Sequence, residues 1–414
     1  MSGEAALSHT AALRYPDFRR FQLARLAAIV ATQMQGVAIG WVVYALTGRA
    51  LSLGFVGLAQ FLPAIVLFPF TGHAADRFDR RHVLAACYGA EALGSAVLYV
   101  LSLRSSVPVA AIYAVLAVIG GARAFAGPAD SALVPNLVER KDIPSAIGWG
   151  SSTFQLAIMV GPALGGLLQD ARSASFVFML AMLLEILGVV CLCLIGTRSR
   201  GDTGGSVSFK TVGAGLSYVW RKKVLLGAIS LDLFAVLLGG AVALMPIFAR
   251  DVLHAGPSGL GLLRSAPAVG SAVTALALAL RPVGGRTGKT MFGCVFLFGV
   301  ATIVFALSKS LALSAGALAV AGAVDMVSVY IRHSLVQLET PDAMRGRVSA
   351  VNLLFIGASN ELGEFESGLT AALLGAVPAA VLGGIGTCVV VVVWMLLFPD
   401  LRGADRLDHL RVEE

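Results

Sequence analysis

The sequence predicts an all-α polytopic membrane protein: twelve transmembrane helices in two pseudo-symmetric bundles of six. Three observations carry this. Of 414 residues, 57% are hydrophobic and only 13% charged, where a soluble domain has roughly a quarter charged. The apolar residues fall into repeated blocks of about the ~20 residues needed to cross a bilayer core. The basic residues sit almost entirely in alternate loops, and the two halves of the chain echo one another.

The apolar blocks place spans at 20–46, 51–75, 80–103, 108–134, 143–169, 174–196, 223–250, 257–280, 289–308, 311–337, 348–374 and 378–398. Loops on one side carry 22 Lys and Arg, including Arg14, Arg140, Arg221 and Arg286. Loops on the other carry 5: Arg49, Arg104, Arg172, Arg250 and Lys309. The positive-inside rule then puts both termini in the cytoplasm. Residues 1–19 are polar, and the first apolar run is too long for the core of a cleavable signal. The net charge of +7 is spread along the chain and makes no nucleic-acid patch. All five cysteines lie inside spans and read as small buried residues.

The longest polar stretch, Thr197 to Lys223, contains Gly201-Asp202-Thr203-Gly204-Gly205-Ser206 and reads as a flexible linker followed by a basic surface segment. It separates an N-terminal six-span bundle (1–196) from a C-terminal one (223–400). The linker itself is 197–222, and a cytoplasmic tail covers 401–414. At an offset of 202 residues, Arg123 and Asp130 of span four match Asp325 and Arg332 of span ten, with the signs exchanged. At 204, Pro63-Ala64 matches Pro267-Ala268. Two such repeats flanking a midplane site are a transporter architecture.

Three segments look like motifs. Gly72-His73-Ala74-Ala75-Asp76-Arg77-Phe78-Asp79-Arg80-Arg81 is a charge-dense, ten-residue loop between spans two and three. Arg123-Ala124-Phe125-Ala126-Gly127 lies on span four. Gly148 and the later Gly161-Pro162-Ala163-Leu164-Gly165-Gly166 lie on span five. The three, with Ala343-Met344-Arg345-Gly346-Arg347-Val348, resemble the signature segments of major facilitator superfamily transporters, in the twelve-span branch of enterobactin and macrolide exporters. Ala74 and Asp79 depart from the family's usual leucine and glycine. Ala126 and Ala157 stand where a glutamine and a glycine are usual.

The resemblance implies roles. Gly72, Asp76, Arg77, Arg80 and Arg81 would latch the cytoplasmic ends of the bundles. Asp76 would sit at a helix N-terminus, where the dipole favours an anion, and the arginines would hold carboxylates or lipid phosphates. Gly148, Gly161, Pro162, Gly165 and Gly166 would form the exporter motif. Small residues and a proline give close packing and a bend, and a plain packing surface is the competing reading. Arg123 either tunes the proton affinity of a carboxylate in the cavity or forms a structural ion pair.

Ionisable residues inside spans are functional candidates in their own right. Span eleven holds Glu361, Glu364 and Glu366, with Gly357, Glu361, Glu364 and Gly368 on one face. Carboxylates three residues apart disfavour each other's ionisation, which makes Glu361 and Glu364 the leading proton-coupling pair. Asp232, Arg123 and Asp325 follow, and Glu91 and Glu185 are weaker. Arg25, Arg264 and Arg332 are candidate partners, and structural salt bridges are the alternative for most of the group. Gln33, Gln35, Gln60, Arg264 and Asn352 are candidates for lining a substrate cavity.

No phosphate-binding loop, metal-ligand cluster or Ser-His-Asp arrangement stands out, so neither an enzyme nor a cofactor is expected. The expected activity is proton-coupled export of a small amphipathic or hydrophobic molecule: a drug, siderophore or metabolite. The expected partners are that substrate, protons and the lipid bilayer, for a monomer in the cell (inner) membrane. A lipid or lysolipid flippase, an importer, or a non-transporting sensor or scaffold of the same fold are the alternatives.

Overall fold

A computed structural model describes residues 10–104, 106–197, 209–281 and 283–403; side chains at 68–69, 72–76, 209–212, 342–343, 350 and 353–354 lie outside that description. The described chain is helical, without a strand. Spans one to six are Pro16–Thr47, Ala50–Arg77, Arg80–Ser102, Val109–Leu137, Ile143–Ala171 and Ala174–Cys193. Spans eight to twelve are Gly256–Leu280, Thr287–Leu307, Leu311–Leu338, Asp342–Leu374 and Ala376–Leu397. Among the described residues, 11 helical stretches are long and apolar enough to cross a membrane. Span eleven is the twelfth. Its 33 residues suffice for length, but its glutamates and charged start lower its hydropathy.

Three segments differ from the sequence reading. The stretch from Gly72 to Arg81 is not a loop. Span two runs as helix through Arg77, Phe78 and Asp79 form the connection, and span three begins at Arg80. Asp76 therefore lies in the last turn of span two, not at a helix N-terminus. Asp79 takes that place, its carboxylate accepting the Arg81 amide at 3.2 Å. Nothing between Gly72 and Arg77 breaks a helix, whereas Asp is a favoured N-cap.

The linker is not wholly irregular, since Phe209–Arg221 forms a helix. Its glycines disguised it. Gly215 is needed because a Cβ there would stand 2.6 Å from the Arg347 carbonyl oxygen.

Span seven is interrupted. A regular helix, Lys223–Gly239, gives way at Gly240 to a 3-10 turn (Ala241–Leu244), a short helix (Met245–Ile247) and a π turn (Phe248–Val252). Pro246 cannot donate to a regular ladder. At the break, the Ser367 hydroxyl of span eleven donates to the Gly240 carbonyl at 3.0 Å.

The described residues cluster into two compact units: Met1–Ile39 with Ala59–Ser206, and Gly40–Leu58 with Val207–Glu414. The hairpin joining spans one and two thus belongs to the second unit; it turns at Gly48, whose φ of 62° suits glycine. Packing repeats six spans on. Span three lies against four and six, and span nine against ten and twelve. Gly120 of span four meets the Gln60 backbone of span two, so that an added Cβ would strike its carbonyl oxygen. Gly322 of span ten meets Pro267 of span eight in the same way. Gly120 and Gly322 are 202 residues apart, the offset that relates Arg123 to Asp325. Large apolar side chains such as Leu280, Leu373 and Leu396 are 77%, 76% and 73% exposed, as a lipid-facing surface requires.

Candidate functional site

Each unit carries buried charge between its helices. In the first, Arg123 is fully engaged. Its NH1 donates to Gln60 Oε1 at 2.8 Å, NH2 to Thr32 Oγ1 at 3.2 Å, and Nε to Glu91 Oε2 at 3.5 Å. Thr32 in turn donates to Glu91 at 3.3 Å. Arg123 shares a helix face with Asp130, but the two do not pair. Asp130 pairs with Arg25 of span one at 3.4 Å. A neighbouring chain runs from the Gln35 amide to Ser95 Oγ (2.8 Å) and from Ser95 to Glu185 Oε2 (2.6 Å). Glu185 is 0% exposed.

In the second unit, Glu361 and Glu364 converge. A Cβ placed on Gly57 would stand 2.9 Å from Glu364 Oε2 and 3.3 Å from Glu361 Oε2, so both carboxylates reach one point of span two. Arg264 of span eight interacts electrostatically with both. The three side chains are half-buried, and the backbones around them are close. Gly54 meets the backbone of Phe365 and Gly368, and the Phe55 and Phe365 rings stand 5.8 Å apart. A turn further along span one, the Tyr44 hydroxyl donates to Asp251 in the π turn, Arg250 lies 5.7 Å from the Tyr44 ring centroid, and Gly40 touches Pro246. Glu366 turns to its own helix, accepting from Thr370 at 2.7 Å.

Asp232 of span seven forms an ion pair with Arg332 of span ten; the two are 6% and 2% exposed. Asp325, two turns before Arg332, does not share it. It lines a small closed cavity with Asp232, Val295, Phe298 and Ser328. Span eleven grips span seven nearby, where Gly363 packs on the backbone of Val236 and Leu237.

Arg80 and Arg81 find their hydrogen-bond partners within the first unit. Arg80 donates to the Ala132 carbonyl at 2.9 Å, and Arg81 to the Ile195 carbonyl and to Asp79 at 3.1 Å. Arg80 thus holds a backbone carbonyl, and Arg81 holds a carbonyl together with the carboxylate of its own helix cap. Arg77 is exposed, 6.0 Å from the Phe78 ring centroid. The burial of Gly72 and the side chain of Asp76 lie outside what the structure describes.

On span five, Gly161 and Gly165 press against Gln33 and Met34 of span one. Pro162 and Gly166 are buried beside them. Gly148 is not part of this surface: it is exposed, with nothing within 4 Å of an added Cβ. Gly150 makes the close contact instead, against Arg25.

Of the cavity candidates, Gln60 and Arg264 join the charge clusters. Gln33 packs on Gly161. Gln35 and Asn352, 1% and 4% exposed, are enclosed between helices. Sequence reasoning overlooked Thr32, Ser95 and Tyr44, since a single hydroxyl in an apolar helix gives no periodic signal.

Comparison with known proteins places these clusters in context. Residues 7–412 match the model of a family described as transmembrane secretion effector. The enterobactin exporter EntS of Citrobacter koseri is 26% identical over 393 residues, 94% of this chain and 93% of that protein. The Shigella boydii protein of the same name is 25% identical with the same coverage. A POT family transporter in complex with 5-aminolevulinic acid superposes with a TM-score of 0.75 at 12% identity, covering 94% of this chain and 97% of that one. A mutant of the nucleoside transporter NupG gives 0.72 at 14%, covering 92% and 100%. At such identities these structures share the fold.

Proposed function

Since the chain belongs to the transmembrane secretion effector family of major facilitator transporters, we propose that it exports a small amphipathic or hydrophobic molecule in exchange for protons. Two six-span bundles, 1–196 and 223–400, would alternate access to a central path, joined by the linker 197–222 and followed by the tail 401–414. Both termini would lie in the cytoplasm and the protein would act as a monomer in the inner membrane. The 22-to-5 division of basic residues supports that orientation. The similarity to enterobactin exporters over 94% of the chain puts siderophores first among the candidate substrates, ahead of drugs and other metabolites.

One observation carries the coupling: Glu361 and Glu364 meet at Gly57 and share the field of Arg264. Two acids against one cation leave a net negative charge inside a span, which is costly. A proton removes it, and expelling that proton needs a change of surroundings. The contact with span two makes the pair sensitive to any movement that separates spans two and eleven. Asp232, held by Arg332, and Arg123, held by Glu91, Gln60 and Thr32, are better suited to fixing helices than to cycling a proton.

The test is proton flux in proteoliposomes, driven by catecholate siderophores, macrolides, lipophilic cations and lysolipids in turn. Flux with one class that disappears in Glu361→Gln or Glu364→Gln supports the reading. Flux that survives in both moves the coupling to Asp325. Flux only with lysolipids favours a flippase. Transport that requires ATP and ignores a proton gradient overturns the mechanism.

A further inference from the structure

The linker helix Phe209–Arg221 has one face that no other described residue covers. Gly213, Leu216, Ser217 and Trp220 fall together at i, i+3, i+4 and i+7 and are exposed, Leu216 by 39% and Trp220 by 70%. The opposite face is occupied. Val219, 1% exposed, joins the apolar core of the second unit. Gly215 lies against the Arg347 backbone, and the Tyr218 hydroxyl donates to the Glu339 carbonyl at 2.8 Å. The helix is pinned on one side and presents leucine and indole on the other. A helix facing water carries polar groups there instead.

Arg221, Lys222 and Lys223 follow directly, all exposed. Among the described residues none of them forms an ion pair. Lys223 also opens the helix of span seven, whose first turn holds no acidic residue. Three cations at a helix start oppose its dipole, so anions from outside the chain are favoured there.

We infer that this elbow docks on the anionic phospholipids of the leaflet it faces. Trp220 and Leu216 enter the boundary between headgroups and acyl chains, and Arg221, Lys222 and Lys223 take the phosphates. An apolar and basic helix that leads directly into a span matches a bilayer interface in both polarity and charge. The contact is relayed inward, because the helix holds Glu339 and Arg347 on either side of the start of span eleven. Anionic lipid therefore steadies the helix that bears Glu361 and Glu364.

The experiment uses the full chain in phosphatidylcholine nanodiscs containing a minor share of lipid brominated close to the headgroup. The brominated lipid is phosphatidylglycerol in one set and phosphatidylcholine in the other. Subtracting the fluorescence of W220F isolates Trp220. Brominated phosphatidylglycerol is expected to quench Trp220 several-fold more than phosphatidylcholine. R221Q/K222Q/K223Q is expected to lose that preference, and K222Q alone to weaken it. Equal quenching by both lipids, a preference unchanged in the triple variant, or no quenching at all would overturn the proposal; the last would put water or a protein on this face. Thermal unfolding checks that the triple variant folds, and K222Q alone carries the test if it does not.

Discussion

Arg332 of span ten grips Asp232 of span seven as Asp130 of span four grips Arg25 of span one, with the charges exchanged. Arg25 and Asp232 each stand at the tenth residue of their helix. The repeat has kept a tie between the first and fourth spans of each half and inverted its polarity. A buried pair of this kind is expected to tolerate inversion and not interruption. Asp232→Asn should lower thermal stability in detergent strongly, by about 3–5 kcal/mol, since it leaves Arg332 buried without its partner. Asp232→Arg combined with Arg332→Asp should recover most of the loss. A double variant no better than the single would mean that the surroundings, not the pairing, fix the polarity.

Gly120→Ala and Gly322→Ala should each be harmful, because the new Cβ meets a backbone carbonyl of the neighbouring span and backbone cannot swing aside. Overpacking of this kind costs about 1–3 kcal/mol. Gly127→Ala, with nothing within 4 Å, should be neutral. Yield of folded protein and the unfolding midpoint of all three variants measure this. Equal behaviour would contradict the close crossings of spans two with four and eight with ten.

Asp79→Ala should destabilise the start of span three by about 1 kcal/mol. It removes the acceptor for the Arg81 amide and the partner of its guanidinium. Asp79→Asn should cost less, since the cap survives and only the ion pair is lost. Hydrogen exchange at the Arg81 amide would separate the two, and identical protection in both variants would rule out a capping role.

Tyr44→Phe removes the donor and Asp251→Ala the acceptor of one hydrogen bond. The double variant should therefore unfold close to the weaker single, with a coupling of about 1.5–3 kcal/mol. Additive losses would show that the two residues act separately.

Span positions were readable because apolar blocks of fixed length and alternating basic loops are imposed by the bilayer, whatever the tertiary contacts. Offsets of 202 and 204 residues likewise pointed to the repeat before any geometry. Pairing was less legible. Arg123 and Asp130 share a face, yet Arg123 turns to Glu91 of span three and Thr32 of span one while Asp130 turns to Arg25 of span one, a choice that a shared helix face does not decide. Glu361 and Glu364 stood out by their number, but their meeting at Gly57 depends on how spans two and eleven cross. The break in span seven was hidden, as Gly239-Gly240 and Pro246 also occur in continuous membrane helices, where neighbours satisfy the freed groups. The helix Phe209–Arg221 was hidden by two glycines, of which Gly215 lets the Arg347 backbone approach.

The paired charges also set an order of events during biosynthesis. Arg25 leaves the ribosome about a hundred residues before Asp130, and Asp232 the same interval before Arg332. At roughly 5–20 residues per second, each waits on the order of 5–20 s for its counterion. Arginine can extend towards the headgroups meanwhile, whereas aspartate is too short to do so. Insertion of the second half is therefore the more assistance-dependent stage of maturation, because span seven passes the same interval with a short, uncompensated charge inside its apolar stretch.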